Sequence, residues 1–117
     1  MTLERDALLG SVRVACDAAD APALARLLHP SVVALVDGGG DVIAETLPVT
    51  GRSAVVAELL RVLDGATLSA QPVNGVAGLI ARRGRRVTAI IAIDVGHDLV
   101  TRVWITLNPL KLLRWNT

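Results

Sequence analysis

The stretch Val73–Trp115 reads VNGVAGLIARRGRRVTAIIAIDVGHDLVTRVWITLNPLKLLRW. Three strand-like runs rich in β-branched residues are punctuated by Arg82-Arg83-Gly84-Arg85-Arg86 and Val95-Gly96-His97-Asp98, and the pattern halts at Asn108-Pro109. Runs joined by turns this short become antiparallel neighbours. Both parities of these strands are apolar. Val87, Ala89, Ile91, Ile93 and Val95 alternate with Thr88, Ile90, Ala92 and Asp94, and Leu99, Thr101, Val103, Ile105 and Leu107 alternate with Val100, Arg102, Trp104 and Thr106. A half-solvated antiparallel sheet alternates cleanly between apolar and polar, so each face of this one is expected to carry packing.

Working outward, Thr67–Val73 supplies one more strand, joined through Asn74-Gly75, a strong hairpin signal. Before it, Val55, Val56, Leu59, Leu60 and Leu63 keep helical spacing from Gly51 onward, and Gly65 sits where a left-handed cap belongs. Ser31–Val36 and Asp41–Thr46 read as strands across Asp37-Gly38-Gly39-Gly40. At the N-terminus, Leu8, Val12, Ala15, Cys16 and Ala19 place one apolar stripe on a helix over 3–19. Asp20 offers an N-cap to a second helix with Pro22 in its first turn, and Pro30 ends that helix by disfavouring the α region at His29. The order is helix, helix, strand, short strand, helix and four strands, an α+β domain.

The 117 residues suit one domain, with a core able to bury roughly two-thirds of the surface of the unfolded chain. Aromatic content is only 2%, with two Trp and no Phe or Tyr, so Val, Leu, Ile and Ala must build that core. The net charge of +1 excludes a strong overall field, but nine of the twelve basic residues follow position 50. Four of them crowd the Arg82–Arg86 turn. Such a tip offers a grip for phosphate, but a solvated turn is the expectation: no base-stacking aromatic accompanies it, which weakens a nucleic-acid reading, and no direct nucleic-acid partner is expected. One cysteine permits no internal disulfide, and no metal-ligand spacing or cofactor motif is visible. Neither a secretory leader nor a membrane span is expected, and the reading is of a cytoplasmic protein.

Few residues offer chemistry. Cys16 lies within an apolar stripe and reads as a small buried hydrophobe. The Asp37–Gly40 loop lacks the Lys and following helix of a phosphate-binding loop, and acids flank it. Asp94, on an otherwise apolar strand, would suit a buried general base, or it satisfies turn amides at the strand end. His29 reads as a capping or core residue and His97 as a solvated turn residue. Trp104 lines a pocket or contact surface, or it packs in the core; Leu112 and Trp115 are expected to pin a C-terminal turn onto the sheet.

Four pieces occur in order: Leu27-Leu28-His29-Pro30, Asp37-Gly38-Gly39-Gly40, Val73-Asn74-Gly75 and Asn108-Pro109-Leu110-Lys111-Leu112. Together they resemble the SnoaL-like domain at the C-terminus of extracytoplasmic-function RNA polymerase sigma factors, within the nuclear transport factor 2-like (NTF2-like) superfamily. The resemblance implies a cystatin-like cone, with a curved antiparallel sheet packed against three helices and residues 1–117 forming one SnoaL-like domain. It implies a noncatalytic regulatory or ligand-sensing role carried by Asp37, Gly38, Gly39, Gly40, Asn108, Pro109, Lys111 and Leu112; Asn74 and Trp104 are further candidate ligand-binding or interaction residues. Leu110 stands where that group often has an acid. The sigma regions that bind DNA and polymerase are not recognisable in this sequence. Implied partners are a second copy in a homodimer, a sigma factor or RNA polymerase, and a small apolar ligand. The superfamily also holds ketosteroid-isomerase-like enzymes, so the alternative is an isomerase or hydrolase using Asp94 or Asp37 as base in the cone, with His29 nearby.

Overall fold

A computed structural model describes residues 2–38 and 48–116 of the chain. The elements are α1 (Thr2–Asp17), α2 (Ala21–Leu27), β1 (Leu28–Asp37), β2 (Val49–Thr50), α3 (Arg52–Leu63), β3 (Thr67–Val73), β4 (Val76–Arg83), β5 (Arg86–Gly96), β6 (Leu99–Thr106) and α4 (Pro109–Asn116). Of the strand expected over Asp41–Thr46, all lies outside the described residues.

The joint between α1 and α2 follows from local chemistry. Ala19 adopts a left-handed φ of 50°, which lets the Asp20 amide reach back to the Ala15 carbonyl at 2.9 Å and close the end of α1. Asp20 then caps α2, its carboxylate accepting from the Ala23 amide at 3.1 Å. Gly51, at φ 90°, turns the chain into α3, and its amide donates to the Val32 carbonyl. Arg52 Nε donates to the Leu28 carbonyl at 2.7 Å, fastening the start of α3 to β1.

Six strands form one sheet in the order β2-β1-β6-β5-β4-β3. Tight turns explain the meander: Asn74-Gly75 (φ 53° and 83°) closes β3–β4, and Gly84 (φ 62°) opens the two-residue turn of β4–β5. One pairing departs from the antiparallel expectation, since β1 runs parallel to β6. No turn joins these two strands, which are separated by α3 and four strands of chain, so nothing local imposes the antiparallel direction.

The inner face of the sheet packs against α1, α2 and α3 through a cluster that includes Leu9, Val12, Leu24, Val32, Leu59, Leu79, Ile91, Ile93 and Val103, each 2% exposed or less. No described buried residue is polar or charged. The described core is therefore apolar throughout. Packing on both faces is borne out by a second, smaller cluster on the outer face, where Leu112 of α4 meets Ile80, Val87 and Ile90. The expected C-terminal turn is thus a fourth helix, with Leu112 and Trp115 seated against the sheet as read from the sequence. A bulge explains the position of Val87. Ala81 pairs with Ala89 but Arg82 with Val87, leaving Thr88 as the extra residue. Simple alternation put Val87 on the face of Ala89; the bulge turns it to the face of Ile90.

Candidate functional site

Asp37 closes β1 on the outer face, beside Thr106 of β6 in the parallel register. Its carbonyl accepts from the Leu107 amide at 2.8 Å, which holds the end of β1 to the chain leaving β6. Two residues later Pro109 begins α4, where a missing amide hydrogen costs nothing, and the Asn108 carbonyl accepts from the Leu112 amide at 3.0 Å. Leu112 faces the sheet at 5% exposure, while Lys111 beside it reaches the Asp37 carboxylate in an ion pair. The first residue of the Asp37–Gly40 stretch and the Lys of the Asn108–Leu112 stretch therefore touch across 74 positions of sequence.

Lys111 and Thr106 together separate two shallow grooves. One, about 320 Å³, has Leu35, Asp37, Trp104 and Thr106 along it; the other, about 350 Å³, has Asn74, Ile90, Thr106, Arg114 and Trp115. Asn74 thus joins the same rim from the β3–β4 turn. Four expected site residues, Asp37, Asn74, Trp104 and Lys111, meet at one end of the sheet.

Trp104 is 41% exposed, which settles its placement as surface rather than core. The Arg102 guanidinium lies 5.5 Å from its ring centre, and its indole N–H donates to Asp94 Oδ2 at 3.4 Å. Asp94 pairs in register with Arg102 on the outer face, whereas its neighbour Ile93 points into the core. Asp94 and Asp37 accordingly lie outside the cone. His29 is half-buried at the start of β1 and uses Nδ1 to accept from the Ser31 amide at 3.0 Å. Its ring is 6.3 Å from that of His97, which is exposed in the β5–β6 turn. His97 lines a cavity with Glu4, Arg5 and Asp98, apart from the groove that holds Asp37. Burial pushes the Cys16 thiol up to about 12, with the Asp17 charge adding to the effect, so it is an inert core residue at neutral pH.

The remaining expected residues divide. Gly38 is exposed directly after Asp37, and Gly39 and Gly40 lie outside the described residues. Asn108, Pro109 and Leu112 build and seat α4 rather than line the grooves. Leu35, Ile90, Thr106 and Arg114 were not singled out by sequence reasoning. Thr106 was findable, because it stands just before Leu107-Asn108-Pro109, but its meeting with Asp37 needs the parallel register of β1. Among the described residues, no group of three or more His, Cys, Asp or Glu could hold a metal ion, and no helix is long and apolar enough to cross a membrane.

No protein-family model and no curated protein matches the sequence. Solved structures do match. The extracytoplasmic function sigma factor SigJ of Mycobacterium tuberculosis superposes with a TM-score of 0.68 at 26% identity over 91% of this chain, which spans 42% of the sigma factor's length. A steroid delta-isomerase from Pseudomonas aeruginosa matches at TM-score 0.65 and 22% identity, covering 95% of this chain and 84% of its own. An NTF2-like protein from Burkholderia xenovorans matches at 0.62 and 17%, covering 100% and 98%. The last two likenesses are of fold alone. With its curved six-stranded sheet wrapped on helices and these neighbours, the chain has the NTF2-like fold.

Proposed function

We propose that this domain is a noncatalytic regulatory or ligand-sensing module that works through the outer-face rim, in the manner of a sigma-factor C-terminal domain. The observation that carries this reading is the Asp37–Lys111 ion pair, which brings the first residue of the Asp37–Gly40 stretch against the Asn108–Leu112 stretch. The likeness to SigJ supports the choice of partner. The apolar core favours this reading over an isomerase or hydrolase, which needs an ionisable group in its pocket: every described buried side chain is apolar or the inert Cys16.

An exposed pair with these exposures, 63% for Lys111 and 32% for Asp37, adds little to stability. Its value lies in fixing the rim. Titration calorimetry of the domain against a SigJ-type sigma factor lacking the matching segment is expected to show binding. Lys111→Glu should weaken it about tenfold or more, the equivalent of roughly 1.4 kcal/mol, and the swap Asp37→Lys/Lys111→Glu should restore much of it. Full affinity in Lys111→Glu, or no binding by the parent domain, would reject the rim as the contact. Without such a partner, the apolar part of this face around Leu35, Ala92 and Trp104 is proposed to pair with a second copy. Sedimentation at micromolar concentration should then give a dimer that Trp104→Asp converts to monomer; a monomeric parent would count against it.

A further inference from the structure

The β4–β5 hairpin tip departs from what a merely solvated turn requires. Arg83 and Arg86 stand directly opposite each other as a cross-strand pair, an arrangement in which like charges repel. Arg82 and Arg83 satisfy themselves on neutral groups: Arg82 donates to Ser69 Oγ at 3.1 Å and Arg83 to the Val62 carbonyl at 3.3 Å. Arg85 and Arg86 are exposed. Among the described residues, no carboxylate pairs with any of the four. Acids are available on the chain, and the exposed Asp64 directly follows the helix that Arg83 contacts, yet the repulsion is left uncompensated.

From this unpaired charge we infer that the hairpin tip is a binding site for the phosphate backbone of duplex nucleic acid. Guanidinium groups match phosphate oxygens in paired hydrogen bonds, and a two-stranded ribbon fits the width of a major groove. The surroundings favour this partner over others. The tip carries no exposed apolar or aromatic side chain between Arg82 and Arg86, so it lacks the anchor that a protein interface uses and the wedge that a membrane surface would take. The missing aromatics rule out base stacking and leave backbone contact, which is insensitive to sequence. At the other margin of the tip, β5 runs past the end of β6, so Arg86 begins a strand segment not flanked by that neighbour.

Fluorescence anisotropy with a labelled duplex of about 20 base pairs at low salt tests the inference directly. Two to four phosphate contacts predict an affinity that falls with salt at a log–log slope of about −2 to −4. Arg85→Gln/Arg86→Gln, which alters only exposed side chains, should reduce that slope by about 2, and Arg85→Lys/Arg86→Lys should recover most of it. Arg13→Gln, removing one charge from α1, should leave binding unchanged. The inference is overturned if the duplex does not bind at low salt, if the Gln variant binds as the parent does, or if polyglutamate or anionic vesicles bind as tightly as the duplex.

Discussion

Removing the side chain that seats α4 should detach the rim without unfolding the domain. Leu112 is 5% exposed and packs with Ile80, Val87 and Ile90, with Val73 and Trp115 partly buried around them. Replacing a buried Leu with Ala costs about 2–5 kcal/mol, depending on how far the site can collapse. This cluster is small and lies at the margin of the sheet, so a cost of about 2–3 kcal/mol is expected. Eight residues cannot sustain a helix in water on their own, the Asp37–Lys111 pair is a screened surface contact, and the hydrogen bonds between Asn116 and Val87 tie only the last residue. Leu112→Ala should therefore undock α4 while the main core stays intact. In a Trp104→Phe background, Trp115 reports on α4 alone, so its emission should shift towards that of a solvated indole at urea concentrations where far-UV circular dichroism remains native. Leu113→Ala, at an exposed position on the same helix, should change stability by less than about 0.5 kcal/mol. If Leu112→Ala costs no more than that control, or Trp115 retains its native emission until the whole domain unfolds, the second cluster does not hold the rim.

Two further predictions test the interior. Burial pushes the Cys16 thiol from its ordinary 9.0 up to about 12 in the folded chain, so the folded state binds this proton more tightly. Its contribution to stability is complete below pH 9 and falls as pH rises towards 12, by up to about 1.4 kcal/mol per unit; urea midpoints across that range should fall less steeply in Cys16→Ala, and equal slopes would refute the assignment. A Cβ added at Gly78 would lie 2.8 Å from Val73 Cγ2 and 2.9 Å from the Ile91 carbonyl oxygen. Gly78→Ala should cost about 1–3 kcal/mol through overpacking, seen as a lower thermal midpoint, and an unchanged midpoint would show that the β3–β4 hairpin gives way freely.

What could be read from residues alone was mostly what local chemistry decides. Asp20 and Pro22 marked the start of α2, Asn74-Gly75 and Gly84 marked hairpin turns, and the aliphatic stripes marked α1 and α3. Face assignments were less secure. The bulge at Thr88 reverses the direction of Val87, and a second irregularity beyond Asp94 puts Val100, rather than Thr101, into the core. Neither leaves a periodic mark in a sheet whose two faces are both apolar. The first two turns of α4 were hidden by their brevity and by Pro109, which reads equally as a stop and as a helix start. The rim was visible as motifs but not as a site, because the meeting of Asp37 with Lys111 depends on a parallel pairing that no turn announces. Asp94 stood out for its polarity on an apolar strand; which way it pointed was a matter of register.

Asn116 carries a consequence for how the protein behaves in company. Its carboxamide accepts from the Val87 amide at 2.7 Å and donates to the Val87 carbonyl at 3.0 Å, reproducing with one side chain the two bonds that an adjoining strand would make. Those groups sit where β5 outruns β6, an open stretch of ladder that could template the growth of a fibre. The docked helix thus works as a plug as well as a support. Whatever lifts α4 away, whether a partner or a mutation, also uncovers a β-strand edge capable of seeding polymerisation.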